Sequence, residues 1–248
     1  MSSFADQYLE GVIALLRRIQ SEEMENIDQA ARMLADAIQN GQRIFGFGAT
    51  HSSLPIQDLV YRAGGLMLIN PIYAPGIESL DNYPATKTSQ IEQLPGYAKI
   101  ILDAAPIRAG DVLILVSVSG RNAVPVEMAE LAQQRGVKVI GVTSWEYTNN
   151  VTSRVPSGKK LYDFCDLVLD NKVAKGDAIL SDKRMPEKFT PASGVTSNGL
   201  LHAVVAATIE ELLDRGITPP VFMAGNVDGG PEHNQRLLAE YRDRIFFT

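Results

Sequence analysis

The chain has 248 residues, 45% of them hydrophobic and 21% charged, with a formal net charge of −6. That is enough apolar content to bury a sizeable core, and the acidity argues against a nucleic-acid partner, whose phosphates demand a basic face. No run approaches the roughly 20 apolar residues of a membrane span, and the N-terminus MSSFADQYLEG carries acid where a signal peptide needs base, so the expected setting is cytoplasmic, without a membrane. The single cysteine, Cys165, excludes an internal disulfide and is read as a core residue.

In chain order, residues 4–39 read as helix. Phe4, Tyr8, Val12, Leu15, Leu16 and Ile19, then Ile27, Ala30, Ala31, Leu34 and Ile38, follow the 3.6-residue period. Ser21 with Glu22, Glu23 and Glu25 suggests a break with a capped restart, and Asn40-Gly41 a stop. Five strand candidates follow: Arg43–Phe47, Leu66–Ile69, Val112–Val116, Val137–Val142 and Asp166–Leu169. Several are continuously apolar, as in strands covered on both faces. Helical patterns at 52–63, about 95–105 and 123–135 fill most gaps, so the expected architecture is α/β with right-handed βαβ crossovers and a parallel sheet. Segments 71–93 and 170–194 read as long irregular loops, the kind that usually carry function. A helix over roughly 195–215 and a tail with a short helix from about 231 complete the chain. The division expected is one domain over 1–248: a helical preface (1–41), a parallel core (42–216) and a C-terminal tail (217–248).

The richest stretch is VLILVSVSGRN (112–122), a buried strand entering a turn of hydroxyls and glycine that opens a helix. Helix N-termini carry unpaired N–H groups and partial positive charge, so an anion can settle there without a lysine. Ser117, Ser119 and Asn122 can add side-chain hydrogen bonds, while Gly120 lets the backbone come close. An ordinary junction capped by Ser or Asn would read the same way. The first βα turn, Gly46-Phe47-Gly48-Ala49-Thr50-His51-Ser52-Ser53, is also rich in hydroxyls. It is an incomplete G-x-G-x-x-G, and Asn70-Pro71 stands where a ribose-binding acid should be, so no dinucleotide is expected. A phosphate-cradling Gly-Lys-Ser/Thr is missing too. Two such turns at one sheet edge suggest a monophosphate site with no cofactor and no metal, and Thr143-Ser144-Trp145 is expected to add hydroxyls in the same layer.

The stretches FGFGATHSS, YRAGGL, NPI, SVSGRN, GVTSWEYT, SGKKLYDFCDLVLDN and NVDGGPEHN resemble the sugar isomerase (SIS) domain family over nearly the whole chain, most of all a bacterial branch of sugar isomerase domain-containing proteins. The resemblance implies a three-layer α/β/α sandwich, doubly wound in the flavodoxin-like manner, with a five-stranded parallel sheet behind N-terminal helices. It also implies phosphate donors at Thr50, Ser52, Ser117, Ser119, Asn122 and the Gly120 backbone. One departure stands out. Members of this branch carry Glu in the helix after the first turn, often as a pair, where this chain reads Pro55-Ile56-Gln57-Asp58. Gln57 cannot take a proton, and Asp58 is shorter than Glu by one methylene, about 1.5 Å. Relatives also tend to read His-Ser-His where His51-Ser52-Ser53 stands.

Aldose–ketose isomerisation needs a base near C1 or C2, an acid to open the sugar ring and donors to steady the enediolate. His51 lies in the first phosphate turn, where it could touch phosphate, a sugar hydroxyl or a moving proton. His202 sits on the apolar helix GLLHAVVAATIEELL, as a buried histidine or, by analogy with phosphoheptose isomerases, a catalytic one. His233, in the polar loop 226–234, either caps the last helix or completes the site of a neighbouring subunit, as SIS domains often do. Asp58 could point back to the sheet edge or lie on a solvated face, and Glu78 is a second base candidate. The function expected is phosphosugar binding by a homodimer, or a tetramer of such dimers, with aldose–ketose isomerisation of a hexose or aminosugar phosphate. Aminosugar-phosphate deamination, phosphosugar ether cleavage and a non-catalytic phosphosugar sensor are the alternatives.

Overall fold

The structure, a computed structural model, describes residues 2–78 and 82–248. Helix α1 (Phe4–Glu22) starts at Ser3, whose hydroxyl accepts from the Asp6 N–H. It breaks at Glu23, and α2 (Met24–Gln39) follows. The expected capped restart is absent: the Glu23 side chain makes no cap bond. Its carboxylate is buried and accepts from Lys172 Nζ (2.6 Å) and Asp170 N (3.2 Å), so the bend is fixed by a charge brought from the far edge of the sheet. The apolar stripe of α2, with Ile27, Leu34 and Ile38, faces inward and packs in one core cluster with Leu200, Leu201, Val204 and Val205.

Strands β1 (Ile44–Gly48), β2 (Ile69–Pro71), β3 (Val112–Val116), β4 (Lys138–Thr143) and β5 (Leu167–Asp170) form one parallel sheet in the order β2-β1-β3-β4-β5. Every residue of β1 and β3 is buried. Burying a Val, Leu or Ile side chain is worth about 1.5–3 kcal/mol, so an unbroken run such as VLILV is stable only between two covered faces. One face is covered by the cluster of α2, α3 (Leu54–Leu59) and α8 (Ser193–Asp214). The other is covered by α5 (Tyr97–Ala104) and α6 (Ala123–Gln134), with the short helices α4 (Lys87–Ile91) and α7 (Trp145–Asn149) at the carboxyl edge. The chain is therefore the expected three-layer α/β/α sandwich.

Four local expectations change. The second strand begins at Ile69 rather than Leu66, because Gly64 N, Met67 N and Phe222 N bond Phe222 O, Pro220 O and Gly65 O, pairing 64–67 with the tail. The helix expected over 52–63 is a 3-10 turn (His51–Ser53) followed by α3, which stops at Leu59 as Val60 turns extended and Tyr61 takes φ +49°. Segment 170–194 is not wholly irregular: β6 (Ala178–Leu180) and β7 (Phe189–Pro191) pair as an antiparallel hairpin. Segment 71–93 contains α4, and Ser79, Leu80 and Asp81 within it lie outside the described residues. The tail carries α9 (Gly230–Glu240). No helix is long and apolar enough to cross a membrane among the described residues.

Candidate functional site

The connection from β1 runs to one side of the sheet and that from β3 to the other. Ligands in doubly wound sheets bind at such a divergence. Here Phe47 pairs with Leu115 and Gly48 with Val116, so the two strands end level and their following turns lie side by side. Between them opens a cleft of about 590 Å³, lined among others by Thr50, His51, Ser52, Ser117, Ser119 and Asn122. Its far wall is Asp177 with Ser193, Gly194 and Ser197 of α8.

The first turn is tightly folded. Thr50 adopts φ +54°, an unfavourable region for a β-branched residue. It is held there by Thr50 N donating to Ile77 O (2.7 Å) and by Ser53 Oγ donating to Thr50 O (2.7 Å). Gly48 makes the fold possible, because a Cβ there would stand 2.0 Å from the Ser52 carbonyl oxygen. The glycines that mimic a dinucleotide loop thus belong to β1 and admit the turn across its end.

The second turn is stapled to β4. Ser117 N donates to Val142 O, while Val118 O accepts from Ser144 N and Thr143 Oγ1. Among the described residues, none engages the side-chain hydroxyls of Ser52, Ser117 or Ser119 in a hydrogen bond. All three residues line the cleft, where their hydroxyls can donate to a ligand.

Other expected donors are placed differently. Gly120 is outside the lining, takes φ +58° and donates its N–H to Ser117 O (3.1 Å), so it shapes the turn and does not offer an amide. Asn122 opens α6 without capping it, and its Oδ1 accepts from Arg154 Nη1 (2.8 Å). The hydroxyls of Thr143 and Ser144 are fully buried and bonded to Val118 O and Val173 O, so the third turn adds no donors to the cleft. Buried hydroxyls are as a rule bonded internally.

The acid–base candidates separate into groups. His51 is exposed at the cleft. Asp58 and His202 meet at 2.9 Å between α3 and α8, and Asp58 is also paired with Arg62; neither residue lines the cleft. Glu78 forms a bridge with Thr50 but bonds its carboxylate to Ala74 N. His233 Nε2 donates to Val221 O (3.0 Å), and Asn234 exchanges two bonds with Met223, so within its own chain this loop fastens the tail, away from the cleft. Burial pushes the Cys165 thiol up to about 12, which keeps it neutral and inert. No group of three His, Cys, Asp or Glu suited to a metal ion occurs among the described residues.

Among the cleft residues that escaped the sequence reading are Ser193, Gly194, Asp177 and Glu92. Ser193 and Gly194 open the apolar helix α8, and that placement could have flagged them. Asp177 and Glu92 carry no local signal, and only the folded loops bring them in.

Comparison with known proteins agrees with this fold. Residues 7–144 match the family model of the SIS domain. A UPF0309 protein of Streptomyces coelicolor is 51% identical over 243 residues, 98% of this chain and 97% of that protein. A phosphoheptose isomerase from Neisseria gonorrhoeae shares the fold at TM-score 0.56 and 16% identity, over 83% of this chain and 97% of its own. The sugar isomerase domain of an RpiR transcription factor from Sphaerobacter thermophilus does so at TM-score 0.50 and 15% identity, over 98% and 99%.

Proposed function

The chain belongs to the SIS-domain family, and on that premise we propose that its cleft binds a sugar phosphate and isomerises it, aldose to ketose, through an enediolate. One observation carries the reading: the unengaged hydroxyls of Ser52, Ser117 and Ser119 share one wall at the divergence of β1 and β3. Neutral donors suffice for a phosphate, since a hydrogen bond to a charged group is worth roughly 1.5–3 kcal/mol. The cleft volume of about 590 Å³ falls within the roughly 300–1,000 Å³ of small-molecule sites. In this reading the phosphate sits against the two serine turns, with Thr50 beside them. The sugar then extends past His51 toward Asp177 and the start of α8. His51 is positioned to exchange protons with the sugar oxygens.

Thermal-shift titration with hexose and aminosugar 6-phosphates, followed by incorporation of solvent deuterium, tests both halves. Binding of at least one sugar phosphate with deuterium entering next to its carbonyl is the expected result. Binding of several with exchange into none would leave the sensor reading in its place. That second reading draws on the Asp58–His202 pair. Asp58 closes on His202 and on Arg62, away from the cleft, and so neither Asp58 nor His202 provides it with a proton acceptor.

A further inference from the structure

Among the described residues, the titratable side chains lining the cleft are His51, Glu92, Tyr147 and Asp177. Asp177 is engaged: Oδ1 accepts from Ala192 N (3.0 Å) and Ser193 N (2.7 Å), and Oδ2 from Ser193 Oγ, which fixes the start of α8. Glu92 is differently placed. It follows α4, is half-buried, and its main-chain carbonyl accepts from Val124 N (3.0 Å) in the first turn of α6. That bond locks it to the helix opened by the second serine turn. Asn122 lies beside its carboxylate and favours the charged form. The Asn122 Oδ1 accepts from Arg154 Nη1 at 2.8 Å. Burial raises the Glu92 carboxyl above the usual carboxylate range, against the opposing pull of Asn122 and Arg154. A carboxylate whose pKa is lifted toward neutrality is a better proton acceptor and still gives the proton back.

From its place on the cleft wall, we infer that Glu92 is the catalytic carboxylate that carries the substrate proton between adjacent carbons, with Asn122 and Arg154 as positioning residues. The inference rests on the isomerase reading. The open-chain aldose phosphate loses its C2 proton to the Glu92 carboxylate. The C–H electron pair becomes the C1=C2 bond, and the carbonyl π pair moves to O1. The Glu92 carboxylic acid then protonates C1, the O2–H proton passes to O1 by way of His51, and C2 becomes the carbonyl. One proton changes carbon, one changes oxygen, and no oxidant or reductant is needed. Neither Asp58, paired with His202, nor Glu78, bonded to Ala74 N, faces the cleft in this way.

The test compares the full-length wild type with Glu92→Gln and Glu92→Asp. Glucose, fructose and glucosamine 6-phosphates serve as probes, with thermal shift for binding and deuterium incorporation for chemistry. Glu92→Gln keeps the size and a hydrogen-bonding head, so binding stays within about threefold while exchange falls by roughly 10²–10⁴-fold. Glu92→Asp, with a retracted carboxylate, retains a measurable part of the exchange. Undiminished exchange in Glu92→Gln overturns the assignment of Glu92 and leaves the isomerase reading standing. Equal loss of binding and exchange in both variants makes Glu92 a structural residue and also overturns it. Wild type that binds the probes but exchanges none overturns the isomerase reading, and the role of Glu92 with it.

Discussion

Two sets of polar residues at opposite ends of the parallel sheet are used differently. At the amino end, buried Asp111 accepts from Arg43 N, Arg43 Nε and Arg108 N, and pairs with Arg43 Nη2 at 2.9 Å. The Arg43 guanidinium also lies over the Phe45 and Phe246 rings. Asn70 bonds Ile44 O, Arg244 O and Phe246 N, and Arg244 reaches Ile38 O and Gln42 O. These bonds tie the last residues of the chain to the sheet. At the carboxyl end, by contrast, Ser52, Ser117 and Ser119 line a cleft with their hydroxyls unengaged. A polar group that folding has already satisfied is a fastening. One left unengaged on the wall of a cleft can donate to a ligand.

The contrast can be broken at either end. The largest effect is expected from Asp111→Ala, which strands Arg43 without its partner. Removing one member of a buried pair costs about 3–5 kcal/mol, to be read from denaturant unfolding, whereas the cleft serines should tolerate loss with little change in stability. Ser119→Ala is the converse: the unfolding midpoint should hold while every sugar phosphate weakens by about 1.5–3 kcal/mol, measured by titration calorimetry. Uneven weakening across sugars would place Ser119 on the sugar rather than the phosphate. Gly48→Ala forces a methyl against the Ser52 carbonyl, and overpacking of this kind costs about 1–3 kcal/mol. It should disturb stability and binding together, and intact binding would show that the first turn does not shape the cleft.

The smallest effect concerns Glu92. A carboxyl with a raised folded pKa contributes its stability below the unfolded pKa and loses it as pH rises through the folded value. Ligand-free Glu92→Gln should therefore unfold at a higher temperature than wild type near neutral pH, with the gap closing on acidification. A gap that widens toward acid would contradict the burial assigned to this group.

Much of the fold was legible because hydrophobic periodicity is a local property. The run VLILV could only be a doubly covered strand, and the Ile27–Ile38 stripe could only be a helix face; both appear where the pattern places them. The strand read at Leu66–Ile69 moved because its apolar residues serve two partners, and periodicity does not say that the tail around Phe222 would take the first of them. Of the site, both hydroxyl-rich turns were legible, the second as Ser-x-Ser-Gly after a buried strand. Glu92 was not, since nothing in QIEQLPG distinguishes it from a solvated surface acid.

By itself the sequence determined the layers, the alternation of strand and helix, and the two hydroxyl-rich turns, because each follows from side-chain spacing within a few residues. Only the tertiary structure decided which of those polar groups remain available. Thr143, Ser144 and the Gly120 amide turned inward to main-chain partners, Asp58 closed on His202, and Glu92 came from a loop some 30 residues before Asn122 to face it. Hydrogen-bond satisfaction is settled between groups distant in the chain, so no local pattern can report it.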